Sequence, residues 1–130
     1  MSVRQGERKT SNLKYIQDAQ ILAMHTLQMC NNPKHFPEPT LAEAIKMEAL
    51  SILRSVRYNL ATYTYEKENK DKLTRHQLDA LAHIDALYAL LDLAYNNPTY
   101  NLEANSIEYW TGLIVNLEDS IKQLGSVPIC

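Results

Sequence analysis

The sequence predicts an all-α protein built as an up-down-up-down antiparallel four-helix bundle. Apolar residues recur at the helical period in four segments, no segment alternates with the period of a strand, and only three glycines occur in 130 residues. Because the breaks between the segments are short, consecutive helices are expected to run side by side in opposite directions. We expect the bundle to span residues 12–126, between a disordered basic N-terminal segment (1–11) and a C-terminal tail (127–130).

The first helix is predicted to begin after Asn12, a favourable N-cap residue, and to end near Cys30. Asn31, Asn32 and Pro33 follow as a stop signal. The predicted core stripe of this helix consists of Leu13, Ile16, Gln20, Ala23, Leu27 and Cys30.

A proline-rich corner, NPKHFPEP, connects the first helix to the second. Pro33 and Pro37 cannot extend a helix, and each favours extended backbone at the residue before it. Phe36 is expected to plug the end of the bundle at this corner. A functional loop carrying Lys34 and His35 is the alternative interpretation.

The second helix is predicted to start at Thr40, because Thr40 and Glu43 match the T-x-x-E capping box. Its apolar pattern fades in the charged run EKENKDK, which we interpret as a solvated helix end followed by a turn. The predicted core stripe consists of Leu41, Ile45, Ala49, Ile52, Val56, Leu60 and Tyr63.

The third helix is predicted to open with a second capping box, formed by Thr74 and Gln77. A second Asn-Asn-Pro sequence, which ends at Pro98, stops it. Its predicted core stripe consists of Ala80, Ile84, Leu87, Leu91 and Ala94.

The fourth helix is predicted to start between Asn101 and Asn105 and to end before Gly125, a typical C′ residue. Trp110 leads its apolar stripe, so we expect this side chain to be buried against the first or third helix. The other members of the stripe are Leu113, Ile114, Leu117, Ile121 and Leu124.

Several classes of protein are disfavoured by the composition. The longest apolar run covers residues 86–91, far too few to span a bilayer, and the charged N-terminus lacks the apolar stretch of a secretory signal. Cys30 and Cys130 do not suggest a disulfide framework, so we expect a cytoplasmic location. No phosphate loop, CxxC pair, HExxH or nucleophile motif occurs, and we predict no cofactor.

His76, Asp79 and His83 have the chemistry of a site with two imidazole ligands and one carboxylate ligand. We expect the three side chains to face away from the core stripe. Metal sites in bundles use inward-projecting Glu and Glu-x-x-His groups, and this chain has no Glu-x-x-His. A metal-dependent enzyme is therefore a minor alternative, and we predict no metal ligand.

The second and third helices also carry apolar residues opposite their core stripes. A simple monomeric bundle would make these faces mostly charged, and Arg and Tyr among apolar residues are typical of interfaces. We therefore predict an oligomer in which Arg54, Arg57 and Tyr58 of one subunit meet Asp85 and Asp92 of its neighbour. The second-helix face consists of Met47, Leu50, Arg54, Arg57, Tyr58, Ala61 and Tyr65, and the third-helix face of Leu78, Ala82, Asp85, Ala89, Asp92 and Leu93.

Charge is distributed unevenly along the chain. Residues 1–74 carry eleven Lys and Arg against eight Asp and Glu, whereas residues 75–130 carry two against seven. The net charge of -2 does not indicate a protein that coats nucleic acid. The asymmetry favours a partner protein or head-to-tail self-association.

These features together resemble the four-helix bundle family of Avd, the accessory variability determinant of diversity-generating retroelements. They are similar also to the intervening sequence proteins encoded within large-subunit ribosomal RNA genes. The resemblance covers residues 12–126. It is carried by the corner NPKHFPEP and by three helices, LAEAIKMEALSILRSVRYNLATY, LDALAHIDALYALLDLAY and IEYWTGLIVNLEDSIKQLG.

The resemblance implies a homopentamer without enzymatic activity. Such a protein binds a reverse transcriptase and RNA or DNA, and it assists mutagenic cDNA synthesis. The alternative is a protein–protein interaction module of a mobile element or phage that binds no nucleic acid. The basic residues available for nucleic acid are Arg4, Arg8, Lys9, Lys14, Lys46, Arg54 and Arg57.

Overall fold

The computed structural model describes the backbone of residues 10–126 and the side chains of residues 13–124. The four helices are α1 (Thr10–Cys30), α2 (Pro39–Tyr65), α3 (Lys70–Tyr95) and α4 (Ala104–Ser126). No strand occurs in residues 10–126, which confirms the all-α prediction. Within the same residues, no helix is long and apolar enough to cross a membrane.

The N-terminal boundary of α1 differs from the prediction. The helix begins at Thr10, two residues before Asn12, so Asn12 lies inside the helix and is not its N-cap. Nothing in this stretch breaks a helix, because it contains neither proline nor glycine. The remainder of the predicted basic segment (1–9) and the predicted tail (127–130) lie outside the described residues.

The N-terminus of α2 is capped by Glu38, not by the predicted Thr40–Glu43 box. One Glu38 carboxylate oxygen accepts a hydrogen bond from the Thr40 backbone N–H at 3.1 Å, and the other accepts from Thr40 Oγ1 at 2.6 Å. The reason is Pro39, which is well suited to the first helical position and therefore places the cap at Glu38, two residues before the predicted cap. Thr40 consequently lies inside the first turn.

The α3 helix also starts earlier than predicted. Its N-cap is Asn69, whose Oδ1 accepts a hydrogen bond from the Lys72 backbone N–H at 3.1 Å. The predicted box at Thr74 and Gln77 is therefore wrong: Gln77 instead donates its side-chain N–H to the Ile121 carbonyl at 2.9 Å. Asn is a strong N-cap residue, and the Lys-rich stretch after it favours helix, so only residues 66–69 form the connection.

One core is shared by all four helices. Each helix packs against its neighbours in the chain, and α4 also packs against α1. Trp110 is fully buried, and its Nε1–H donates to Thr26 Oγ1 of α1 at 3.0 Å, which confirms the prediction for this side chain. Two predicted core members, Gln20 and Tyr63, are exposed, because Gln20 is polar and Tyr63 lies in the last turn of α2. Gly125 lies inside α4 rather than after its end.

The proline-rich corner packs against the connection between α3 and α4. Phe36 is only 5% exposed, and its ring lies 6.4 Å from Trp110 and 5.5 Å from Tyr100, as expected of a plug. The Asn101 backbone N–H donates to the His35 carbonyl at 3.0 Å. Tyr100 donates its hydroxyl to Glu38 at 2.8 Å, so the same carboxylate caps α2 and ties the two connections together. The corner is therefore a structural element.

Candidate functional site

The outer face of α2 is exposed along its whole length, as the sequence predicts. Met47 is 59% exposed and Tyr65 82% exposed, values that are high for side chains with so much apolar surface. Leu50 and Tyr58 are also exposed. Because the face is continuous and not a set of scattered residues, it has the character of an interaction surface.

The outer face of α3 is exposed in the same way. Leu78 and Leu93, near its two ends, are both more than half exposed, and Ala82 and Ala89 between them are exposed. Asp85 and Asp92 lie on this face and are open to solvent. The sequence therefore located both unusual faces correctly.

The four charged residues predicted at the interface form no ion pair within the described part of the chain. Arg54 donates only to Ser51 Oγ of its own helix, at 3.1 Å. Asp92 accepts a hydrogen bond from the side chain of Asn96 at 3.2 Å. No salt bridge joins Arg57 or Asp85 to another described residue. All four charges therefore remain available to a partner.

Two other predicted basic residues differ from these arginines. Lys14 pairs with Asp18 at 2.9 Å, and Lys46 pairs with Glu43 at 3.0 Å. Lys46 also donates to Asn31 Oδ1 at 2.8 Å. Their charges are therefore partly neutralised inside the subunit. The remaining predicted basic residues, Arg4, Arg8 and Lys9, lie outside the described residues.

A groove of about 460 Å³ runs between α3 and α4 beside the two aspartates. Burial, followed by the nearby Glu118 and Asp119 carboxylates, raises the pKa of Tyr88 in this groove. Sequence reasoning found the aspartates but missed the tyrosines, although the sequence DALYALLDLAY repeats Asp-x-x-Tyr after seven residues. The lining residues are Asp85, Tyr88, Ala89, Leu91, Asp92, Tyr95, Ile107 and Thr111.

A second groove, of about 330 Å³, lies where α2 ends and α3 begins. Its rim carries an ion pair between Lys72 Nζ and Glu66 Oε2 at 2.9 Å, and the hydrogen bond from Lys72 lowers the pKa of Glu66. The sequence did not predict this groove either. The groove exists only where a particular turn of α3 packs beside Tyr58 of α2, and the pattern of one helix does not show which turn that is. The lining residues are Tyr58, Ala61, Thr62, Tyr65, Glu66, Lys72 and His76.

The His76, Asp79 and His83 side chains all lie outside the core, as expected, but the two histidines also contact α2. His83 Nδ1 lies 2.7 Å from Glu48 Oε1 of α2, and the His76 ring lies 5.5 Å from Tyr58. Both histidines are half-buried between α2 and α3, whereas Asp79 is exposed. Among the described residues, no group of three His, Cys, Asp or Glu side chains is arranged to hold a metal ion.

Cys30 and Tyr15 are of reactive residue types, but both are buried and pack in the core. Burial raises the pKa of the Cys30 thiol to about 12, so the nucleophilic thiolate is scarcely populated at neutral pH. Tyr15 is buried and donates its hydroxyl to Asn59 Oδ1 at 3.1 Å. Burial also raises the pKa of Tyr15, which keeps this hydroxyl protonated.

Comparison with protein-family models, with curated protein sequences and with solved structures found no match to this chain.

Proposed function

We propose that this chain is a non-enzymatic, oligomeric accessory protein of a diversity-generating retroelement, similar to Avd. It binds a reverse transcriptase and RNA or DNA in the cytoplasm and assists mutagenic cDNA synthesis. The observation that carries the proposal is the outer face of α2, where Arg54 and Arg57 lie among exposed apolar side chains and have no ion-pair partner in the described part of the chain. These side chains do not pack in the subunit's own core, and a binding partner would bury them.

We infer that the helices form an up-down-up-down antiparallel bundle. Support comes from the seam between α2 and α3, where Glu48 meets His83 and Tyr58 meets His76. Residue numbers rise along one helix as they fall along the other, which is the signature of antiparallel neighbours. The same order holds between α1 and α4, where Asp18 accepts from Ser120 and Thr26 accepts from Trp110.

The unpaired charges support assembly between copies of this chain. Arg54, Arg57 and Tyr58 on one subunit meet Asp85 and Asp92 on the next, because charges within an apolar contact are stable only when paired. This contact joins two different faces, so it is head-to-tail and closes into a ring when the rotation permits. We propose five subunits for this ring, because the resemblance to Avd implies a homopentamer.

Nucleic-acid binding in this proposal depends mainly on the two arginines. Lys14 and Lys46 already have carboxylate partners, whereas Arg54 and Arg57 can contact phosphate without first breaking an ion pair. Arg residues used between subunits cannot at the same time be fully engaged by phosphate. Binding is therefore expected to compete with assembly at this face.

A second candidate function is a protein–protein interaction module that binds no nucleic acid. The acidic groove between α3 and α4 favours it, because Asp85 and Asp92 lie beside two tyrosines there. A basic partner segment would find both charge complementarity and apolar contact in this groove.

The test is binding of a labelled single-stranded RNA across a salt series, with purified wild-type protein and two double variants. Arg54→Ala with Arg57→Ala is expected to weaken binding and to reduce the salt dependence by about 0.7 in log–log slope for each phosphate that the variant no longer neutralises. Lys14→Ala with Lys46→Ala is the matched control and is expected to change little. No RNA binding by wild type at low salt would refute the nucleic-acid role and favour the interaction module.

A further inference from the structure

The groove at the end of α2 brings together aromatic rings in an otherwise charged region. Tyr58 is 51% exposed, and its ring lies 5.5 Å from that of His76 with an interplanar angle of 54°. Tyr65 follows seven residues later, about 10.5 Å along the helix axis, and lines the same groove. Two tyrosine rings and an imidazole thus border one opening, with Ala61 between the tyrosines.

The surroundings of this groove are basic although the chain as a whole is acidic. Residues 54–76 contain six Lys and Arg against three Asp and Glu, whereas the whole chain has a net charge of -2. Glu66, the carboxylate on the rim, is neutralised by Lys72. Arg54 and Arg57 precede Tyr58 on α2 and have no ion-pair partner among the described residues. The local field therefore attracts an anion.

We propose that, in a subunit whose outer α2 face is not covered by a neighbour, this groove binds an unpaired base of single-stranded nucleic acid, with Tyr58 and Tyr65 as stacking platforms and Arg54 and Arg57 beside the phosphates. The proposal rests on the nucleic-acid role proposed above and names its ligand more narrowly. Aromatic side chains next to a basic surface are the combination with which proteins hold single strands, since every base has a face that can stack. The groove volume of about 330 Å³ lies near the lower end of the range for ligand sites, roughly 300–1,000 Å³.

A duplex does not meet these requirements. Its bases are stacked on each other, so no base face is free to lie against a tyrosine ring. Phosphate contact alone would also leave the exposed rings unused. The groove therefore predicts a preference for single strands over duplex at equal phosphate density.

The experiment measures the fluorescence anisotropy of a labelled oligouridine at low salt, with a duplex RNA that carries the same number of phosphates as competitor. The Tyr58→Ala and Tyr65→Ala variants are each expected to bind about 5- to 100-fold more weakly, the range for removal of one stacking platform. Tyr58→Phe and Tyr65→Phe keep the rings and are expected to retain wild-type affinity. Circular dichroism establishes that each variant is folded.

Tyr63 provides the matched control. It is a half-exposed tyrosine of the same helix, its ring lies 5.8 Å from Lys67 Nζ, and it does not line the groove, so Tyr63→Ala should bind like wild type. Wild-type binding that survives both groove substitutions would overturn the groove while leaving the nucleic-acid role intact. Duplex binding as tight as single-strand binding would also overturn it. Absence of any wild-type binding would overturn both proposals.

Discussion

Aromatic residues lie beside charged residues at both ends of α2, but they are buried or bonded at one end and exposed at the other. The two ends lie about 40 Å apart, as a helix of 27 residues requires. At the first end, Phe36 is buried and the Tyr100 hydroxyl is bound by Glu38. At the second end, Tyr58 and Tyr65 are exposed, and their hydroxyls form no hydrogen bond with described residues.

This difference shows that an aromatic cluster beside charged groups does not by itself indicate a binding site. What distinguishes the ends is whether the polar groups are already satisfied inside the subunit. Glu38 caps α2 and accepts from Tyr100, so this carboxylate is already satisfied inside the subunit. Arg54 and Arg57, in the second half of α2, have no carboxylate partner among the described residues. The groups at the first end therefore stabilise the fold, whereas those at the second end are available to a binding partner.

The largest expected effect on stability comes from removing the Phe36 side chain at the first end of α2. Phe36→Ala should lower the free energy of unfolding by about 3–5 kcal/mol, because it leaves a cavity beside Trp110. Tyr65→Ala at the other end should change it by no more than about 0.5 kcal/mol, since Tyr65 is largely exposed. Urea unfolding followed by circular dichroism measures both. Equal losses would remove the distinction between the two ends.

A smaller effect is expected from Thr26→Val in α1. The change keeps the shape of the side chain but removes the acceptor of the Trp110 Nε1–H hydrogen bond. A buried donor without a partner costs about 1–3 kcal/mol, so the free energy of unfolding should fall by that amount. Oligouridine binding should be unaffected while the protein is folded. A loss of binding with unchanged stability would contradict the assignment of this region to the fold.

The smallest effect concerns acidification. His25 packs edge-on against Tyr109 at 4.9 Å and Trp110 at 5.5 Å, and its buried Nε2 has no hydrogen-bond partner among the residues that the structure describes. Burial lowers the pKa of His25 from its ordinary value of 6.5, so the unfolded chain takes up a proton before the folded protein does. Stability is therefore complete above pH 6.5 and is lost as the pH falls toward the lower folded value.

The melting temperature is accordingly expected to fall between neutral pH and about pH 5. His25→Phe should make this fall smaller, because the phenyl ring fills the same space and cannot be protonated. Differential scanning calorimetry at several pH values measures both proteins. A His25→Phe variant whose melting temperature falls as much as that of wild type would show that another group is responsible.

The core could be read from the sequence because its signal is periodic. Ile84, Leu87 and Leu91 each fall on the side of α3 that the apolar spacing selects, and all are buried. The helix starts could not be read equally well, because several capping patterns compete within a few residues. Glu38 and Asn69 are the N-cap residues of α2 and α3, in place of the capping boxes that were predicted to begin at Thr40 and Thr74.

The candidate site was only half predictable for a related reason. Exposure of Arg54 and Asp85 follows from their positions opposite the core stripe of a single helix. The grooves depend on two helices at once, and periodicity within one helix says nothing about which residue of the next lies opposite. The contact between His76 and Tyr58 depends on two helices in this way and could not be predicted from either helix alone.

The central claim is that the unpaired charges of α2 and α3 form an interface between copies of this chain. Multi-angle light scattering of wild type and Asp92→Arg, with circular dichroism on both, tests it most directly. We predict a wild-type mass that is a multiple of 14.9 kDa and a smaller species of unchanged helicity for Asp92→Arg, because like charges then meet across the contact. The control is Asp79→Arg, an exposed change on the same helix but outside the acidic groove, which should leave the mass unchanged. A wild-type mass of 14.9 kDa, or an Asp92→Arg variant that stays fully assembled, would contradict the claim.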